Sequence, residues 1–381
     1  MMVYTFIIVI LVALLPDLYI WGSFIKGGRL LWSVLYWLPT AALILLPVVA
    51  LIGKWQDELF QLLIFLTLLF VIPKLVFVLF SLVGRGLAML VPTSASICNG
   101  IGLTVALLIM MTASYGIIKG WKHVVVKETD IVSEDVPRSF DGYTIVHLSD
   151  FHIGTYKQSP GTVREIVDKV NAICPDAIFF TGDLVNSSPE EVSVFISILS
   201  EMKAKDGVFS ILGNHDYCEY RNYTAPDSPA KSLAELVRTE REMGWTVLLN
   251  EHRLLHRDND SIAIIGVEND GEPPFPSRAD LRKATAGLDS DIYKILLSHD
   301  PSHWRRSILP ETDIQLTLSG HTHAMQLKIA RFSPAKWQYP EWGGLYENNS
   351  RKLYVSTGVG SNVAFRIGAW PEINVIRLQS K

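Results

Sequence analysis

The second half of the chain carries five short polar blocks: Asp150-Phe151-His152, Gly182-Asp183, Gly213-Asn214-His215-Asp216, His299, and Gly320-His321-Thr322-His323. Asp, Asn and His with no cysteine among them suit a divalent metal bound through oxygen and nitrogen, and argue against a structural thiolate zinc site. Each block closes an apolar run: 143–146, 177–180, 207–211, 295–297 and 314–318. A continuous apolar run reads as a strand in a sheet covered on both faces. Ligand groups then collect on the loops at the strand ends. Asp150, Asp183, Asn214, His299 and His321 are spaced 33, 31, 85 and 22 residues apart, which leaves room for helical crossovers.

The order and types of these blocks resemble the calcineurin-like metallophosphoesterase family, whose pattern is D-x-H, G-D, G-N-H-D/E, H and G-H-x-H. The resemblance covers roughly residues 141–381. It implies an α/β domain built as a two-sheet β-sandwich flanked by helices, and hydrolysis of a phosphate ester or pyrophosphate at two divalent cations; the runs 261–267, 352–356 and 373–378 read as strands of the second sheet. Manganese is the expected metal, with iron, zinc or cobalt as alternatives. In the family pattern, Asp150, His152, Asp183 and His323 hold one ion, and Asp183, Asn214, His299 and His321 hold the other. Two cations about 3.5–4 Å apart need a shared anion. Asp183 is the carboxylate its block offers for that bridge. Metal-activated hydroxide would attack phosphorus. His215 resembles the family residue that contacts the phosphoryl group and protonates the leaving oxygen, a role suited to a side chain titrating near neutrality. Asn214, beside it, is read as a substrate contact as well as a ligand. Asn186 falls where some members place a carboxylate partner for this histidine.

The resemblance sharpens to the membrane-associated, YkuE-like branch through LSDFHIG at 148–154, TGDLVN, LGNHDY and the tail at 344–373. That branch usually continues G-H-T-H with Gly-Gly-Gln, whereas Ala324-Met325-Gln326 stands here. The bulkier loop predicts narrower access to the metals. Asn362 and Arg366 lie on a glycine-rich stretch, 358–368, and are read as substrate-phosphate contacts, because Arg binds phosphate bidentately. Other titratable groups match no block. His147 is expected to pack in the core, and His252, His256 and His303 to lie at the surface or behind the site. Asp216 and Asp300 are expected to support loops.

The first third has a different composition. Residues 3–22, 31–52, 59–83 and 97–118 each give about 20 apolar positions, the length that crosses a hydrocarbon core. Trp21, Trp32, Trp37, Trp55 and Trp121 sit near the ends of these runs, as interfacial aromatics do. A bundle of four transmembrane helices at 1–120, a linker at 121–140 and a catalytic domain at 141–381 follow, with 119–138 reading as a short amphipathic link or edge strand. Lys74, beside Pro73, is read as the one intramembrane charge. Lys26, Arg29 and Arg85 fall on one side of the membrane, and Lys54, Lys119, Lys122 and Lys127 on the other with the catalytic domain. The positive-inside rule therefore favours an integral protein of the cell's inner membrane with a cytoplasmic enzyme. Three cysteines form no even framework and agree with a reducing compartment.

A net charge of -4 gives no electrostatic basis for nucleic-acid binding. Membrane lipids are the expected surroundings. The aromatic stretch 332–346, with Trp337, Tyr339, Trp342 and Tyr346, follows the last metal block and suits an acyl groove or membrane interface. The substrate is therefore expected to be a lipid-linked or amphiphilic phosphate. UDP-diacylglucosamine pyrophosphatase activity is an alternative, and a metal-binding membrane sensor without turnover is another.

Overall fold

A computed structural model describes every residue except 1, 53–56, 222 and 224–227. The chain forms two compact units, Met1–Lys119 and Gly120–Lys381. Lys54 and Trp55, used above for sidedness and interfacial anchoring, lie outside the described residues.

The first unit is helical. Helices cover Met2–Ile20 and Leu30–Ile52, a third runs from Asp57 through a π turn at Thr67–Val71 to Leu87, and a fourth covers Ser94–Ile118. The π turn lies just before Pro73, whose missing N–H cannot join the helical ladder. Glu58–Leu87 and Ser94–Lys122 are long and apolar enough to cross a membrane, whereas the described apolar parts of the other two, Leu11–Ile25 and Leu30–Leu46, are shorter. Gly102, Ala106, Ala113 and Gly116 are the buried positions of the last helix, the small residues that let membrane helices approach closely. Lys74 is not the one intramembrane charge. Asp17, on the first helix, is a second, and its carboxylate lies 2.6 Å from Lys74 Nζ. Tyr36 donates to the same carboxylate at 2.7 Å, and Thr40 donates to its other oxygen. Three helices thus meet on a fully buried acid whose charge is matched.

The second unit is a sandwich of two six-stranded sheets. In chain order the strands are β1 (Val125–Ser133), β2 (Thr144–Leu148), β3 (Ala177–Phe180), β4 (Val208–Ser210), β5 (Trp245–Val247), β6 (Glu251–Arg257), β7 (Asp260–Gly266), β8 (Tyr293–Leu297), β9 (Leu316–Ser319), β10 (Gly344–Asn348), β11 (Arg351–Val355) and β12 (Glu372–Ser380). One sheet has the order β1-β12-β2-β3-β4-β5 and the other β10-β11-β9-β8-β7-β6. One expectation is narrowed here and another changes. The segment read as a link or edge strand is the latter: it contributes edge strand β1, paired in parallel with β12. The run at 373–378, read as part of the second sheet, is β12 and inserts into the first.

Side-chain alternation explains why the apolar runs are continuous. On β2, Ile145 enters the cluster between the sheets, while Val146 and Leu148 enter the cluster beneath helix Pro160–Ile173. On β8, Ile295 and Leu297 face between the sheets and Leu296 faces the opposite layer with Trp304 and Ile308. Both faces of each central strand are buried, so no polar alternation survives in the sequence. The blocks sit at the ends of β2, β3 and β4 in one sheet and of β8 and β9 in the other. The sandwich thereby brings residues far apart in sequence to one edge.

Candidate metal centre

Asp183 is the hub. Its Oδ1 accepts the backbone N–H of His215 at 2.8 Å. Its Oδ2 lies 3.5 Å from His152 Nε2 and 3.2 Å from His299 Nε2. On one flank, His323 Nε2 is 3.5 Å from Asp150 Oδ1 and 3.1 Å from His152 Nε2. On the other, His321 Nδ1 is 3.3 Å from His299 Nε2. The groups Asp150–His152–His323 and Asp183–His299–His321 each bring their ligand atoms within 4.8 Å of one another. Six of the seven expected ligands therefore converge, and one carboxylate oxygen stands between the two groups.

The backbone at these positions is unusual. Asp150, His152, Asp183, His321 and His323 all adopt positive φ, between 45° and 71°. For side chains with a Cβ this region costs about 1–3 kcal/mol per residue and is held only where the surroundings demand it. Crowding supplies the demand. A Cβ at Gly213 would run into the Asp183 carboxylate, and one at Gly320 would run into Ser149 and the Asp150 carboxylate. The left-handed run continues through Ala324, Met325 and Gln326, at φ 50°, 45° and 58°. That conformation explains why glycine suits the first two of these positions in the resembling branch. Gln326 compensates by donating to Ser361 Oγ and to the carbonyls of Val363 and Phe365 at 2.7–2.9 Å.

The donor set fits two cations. Asn214 Oδ1 is buried without a hydrogen-bond partner, while its Nδ2 donates to the Tyr220 hydroxyl at 2.9 Å. An orphaned amide oxygen is costly unless something positive meets it. His299 Nδ1 bonds the Thr181 carbonyl at 2.7 Å, which directs Nε2 inward. Burial pushes His152 down to about 3 and His321 to about 4, the neutral forms that metals take. His299 moves the other way. Burial opposes its charge, yet Asp183 and Asp150 raise it to about 10, so the cavity favours a positive charge where a metal would sit.

Further groups hold these ligands. The Asp216 carboxylate accepts the backbone N–H groups of Gly213, Asp183, Leu184 and Val185 at 2.7–3.2 Å. The Tyr339 hydroxyl is 3.0 Å from His321 Nε2, and Asp300 Oδ2 is 3.5 Å from the same nitrogen. Phe275 packs edge-on against the His321 ring, with centroids 4.7 Å apart. Nothing in the sequence pointed to Tyr220 or Phe275, whose relation to the ligands exists only in space. Asp216 and Asp300 adjoin block residues, and that adjacency was their signal.

His215 lies beside this cluster, its ring 4.7 Å from that of His152 and 4.5 Å from that of Tyr220. Its Nδ1 bonds Asn186, but through the backbone carbonyl at 2.6 Å and not the side-chain amide, which turns to Thr155 instead. Arg366 is placed differently from the sequence expectation. It is fully buried, and its terminal nitrogens donate to the carbonyls of Ala369, Thr357 and Gly360. It knits the 357–369 loop together behind His323, whose Nδ1 is 3.3 Å away, and does not face solvent for a substrate phosphate. Asn362 is half-buried on the same loop. His303, expected at the surface or behind the site, is buried between Ser298 Oγ at 2.8 Å and Asp270 Oδ2 at 3.1 Å, and so braces the strand end carrying His299. His147 packs in the core on Thr181 at 2.9 Å.

Residues 143–325 match the calcineurin-like phosphoesterase family, and residues 3–121 match a transmembrane domain of calcineurin-like phosphoesterases in a family named for four membrane helices. The chain is 32% identical over 277 residues to a transmembrane protein with metallophosphoesterase domain from Danio rerio, covering 70% of this chain but 60% of that protein. It is 30% identical over 264 residues to the metallophosphoesterase YkuE of Bacillus subtilis, covering 66% of this chain and 85% of that one. It is 24% identical to the UDP-2,3-diacylglucosamine pyrophosphatase LpxG of Chlamydia muridarum, covering 64% of this chain and 86% of that one.

Proposed function

The chain belongs to the calcineurin-like metallophosphoesterase family, and on that premise we propose that it is a membrane-anchored, dinuclear metal-dependent phosphohydrolase acting on a lipid-linked phosphate ester or pyrophosphate. The observation that carries the reading is Asp183 Oδ2, set between His152 and His299, supported by the buried Asn214 oxygen's lack of a hydrogen-bond partner. Asp150, His152, Asp183 and His323 would hold one cation, and Asp183, Asn214, His299 and His321 the other, with manganese the expected metal. Two such cations would polarise a phosphoryl oxygen and supply hydroxide at neutral pH.

The chain's own groups do the rest. Asp183 keeps one oxygen for sharing because His215 N–H holds the other. Nδ1 of His215 is engaged by the Asn186 carbonyl, which leaves Nε2 to give a proton to the leaving oxygen. The Tyr220 hydroxyl accepts from Asn214, so its own hydrogen remains for a phosphoryl oxygen.

The lipid-linked part rests on the aromatic stretch. Tyr339 touches a ligand, Phe332 and Trp337 are exposed and in ring contact, and Trp342 is half-buried. Tyr346 instead packs against the second sheet. The likeness to LpxG supports a nucleotide diphospholipid as a second reading. Two measurements test the proposal on the purified full chain. Asp183→Asn should lose bound metal and hydrolysis, and full two-metal occupancy in that variant would sink the assignment. Trp337→Ser with Trp342→Ser should reduce hydrolysis of a lipid-linked phosphate while sparing a small soluble ester. Equal loss of both activities would remove the lipid part of the reading.

A further inference from the structure

The segment directly after the last metal ligand is apolar and exposed at several points. Met325 is 43% exposed, Ile329 64%, Phe332 44% and Trp337 80%. Interleaved with them are Lys328, Arg331 and Lys336, and residues 325–340 include no Asp or Glu. This local excess of positive charge stands out in a chain of net charge -4. Exposed aromatic and aliphatic side chains alternating with cations are the composition of a surface that enters the boundary of an anionic bilayer.

The segment is also rigidly built. Ile329 and Phe332 exchange two backbone hydrogen bonds at 2.9 and 3.0 Å, closing a tight loop tip. Lys328 N–H donates to the Ile367 carbonyl at 2.8 Å, and Ser333 Oγ donates to the Ala324 carbonyl at 2.6 Å. Phe332 and Trp337 support each other edge to face, 5.5 Å between centroids. The exposed apolar groups are therefore held outward by a fixed frame. Both ends of that frame reach the metal centre, through His323 at the start and through the Tyr339–His321 bond at the finish.

We propose that residues 325–337 form a membrane-docking loop that inserts Ile329, Phe332 and Trp337 into the headgroup boundary of an anionic bilayer, with Arg331 and Lys336 bound to lipid phosphates. Covalent attachment favours this partner, because the last membrane helix ends at Ile118 and the catalytic unit begins at Gly120. A surface so closely tethered meets lipid at high effective concentration, so weak contacts suffice. Docking would deliver the metal centre to phosphate groups at the bilayer surface. The inference rests on the membrane domain and deepens the lipid-linked reading, but its test needs no catalysis.

The full chain, labelled with 5-fluorotryptophan, is reconstituted in substrate-free nanodiscs of either neutral lipid or neutral lipid mixed with phosphatidylglycerol. Loss of one fluorine resonance in Trp337→Phe identifies Trp337. Acyl-chain nitroxide lipids should broaden that resonance in the anionic discs. Each cation near such a surface contributes about fivefold in partition, so Arg331→Gln with Lys336→Gln should weaken docking about 25-fold and restore a sharp line. Both side chains are exposed, and an unchanged melting temperature confirms that this variant folds. A Trp337 line that stays sharp in every bilayer overturns the proposal and leaves a protein as the loop's occupant. Broadening that ignores both lipid charge and the two cations overturns the anionic-surface assignment.

Discussion

The carboxylate of Asp216 fastens the backbone of Asp183. Its Oδ2 takes the Asp183 N–H at 2.7 Å and the Gly213 N–H at 2.8 Å, tying the loop after β3 to the loop after β4. The proposed bridging ligand is thus oriented by a neighbour outside the proposed ligand set. Burial and the nearby Asp183 charge raise Asp216 to about 7, so this bracing is obtained against repulsion between two acids.

Asp216→Asn keeps the shape but turns one acceptor oxygen into a donor facing amide donors. Each buried amide left unpaired costs about 1–3 kcal/mol. The variant should melt earlier and bind less metal, measured by calorimetry and metal analysis of the same sample. Wild-type metal content with a wild-type melting temperature would show that Asp216 does not position Asp183.

His215→Ala should keep its metals, because the seven proposed ligands do not include it, and should lose about 10²–10⁴-fold in turnover on esters with poor leaving groups. Nitrophenyl esters, whose leaving group needs little protonation, should lose far less. Equal losses for both substrates would assign His215 to phosphate binding instead of proton donation.

Glu240 is fully buried with Oε2 accepting from Ser210 at 2.6 Å and Oε1 unpartnered. Burial first, and the charge of Asp216 second, raise it to about 8. A carboxyl raised on folding favours the native state below its unfolded pKa of about 4.3, and this contribution is lost as pH rises through the folded value. Stability should therefore fall between about pH 4.5 and 8. Glu240→Gln should flatten that slope by up to about 1.4 kcal/mol per pH unit, read from denaturant melts across the range. An unchanged slope would mean that Glu240 is charged in the native protein.

Lys74→Met strands the Asp17 carboxylate, which is fully buried. Removing one partner of a buried ion pair costs about 3–5 kcal/mol. Folded yield in detergent should drop in the single variant and recover largely when Asp17→Asn is added. A double variant as poor as the single one would show that the pair does more than cancel charge.

The sequence by itself picked out the candidate metal ligands, because Asp, Asn and His at five strand ends are chemically conspicuous and their order is fixed by the chain. The family resemblance of those blocks implied the sandwich class, and the apolar runs at β2, β3, β8 and β9 marked strands buried on both faces. Position in the sheets was decided only in three dimensions. β12 slots between β1 and β2 through pairing partners more than 200 residues away in sequence, which no local pattern records. The same holds for side chains whose role depends on what surrounds them. Arg366 on a glycine-rich loop has the composition of a phosphate contact, but folding surrounds it with carbonyls and makes it a structural cation. Asp17 and Lys74 sit 57 residues apart and become one neutral pair only when their helices pack. Local chemistry is written along the chain, whereas burial and partnership arise from contacts between distant segments.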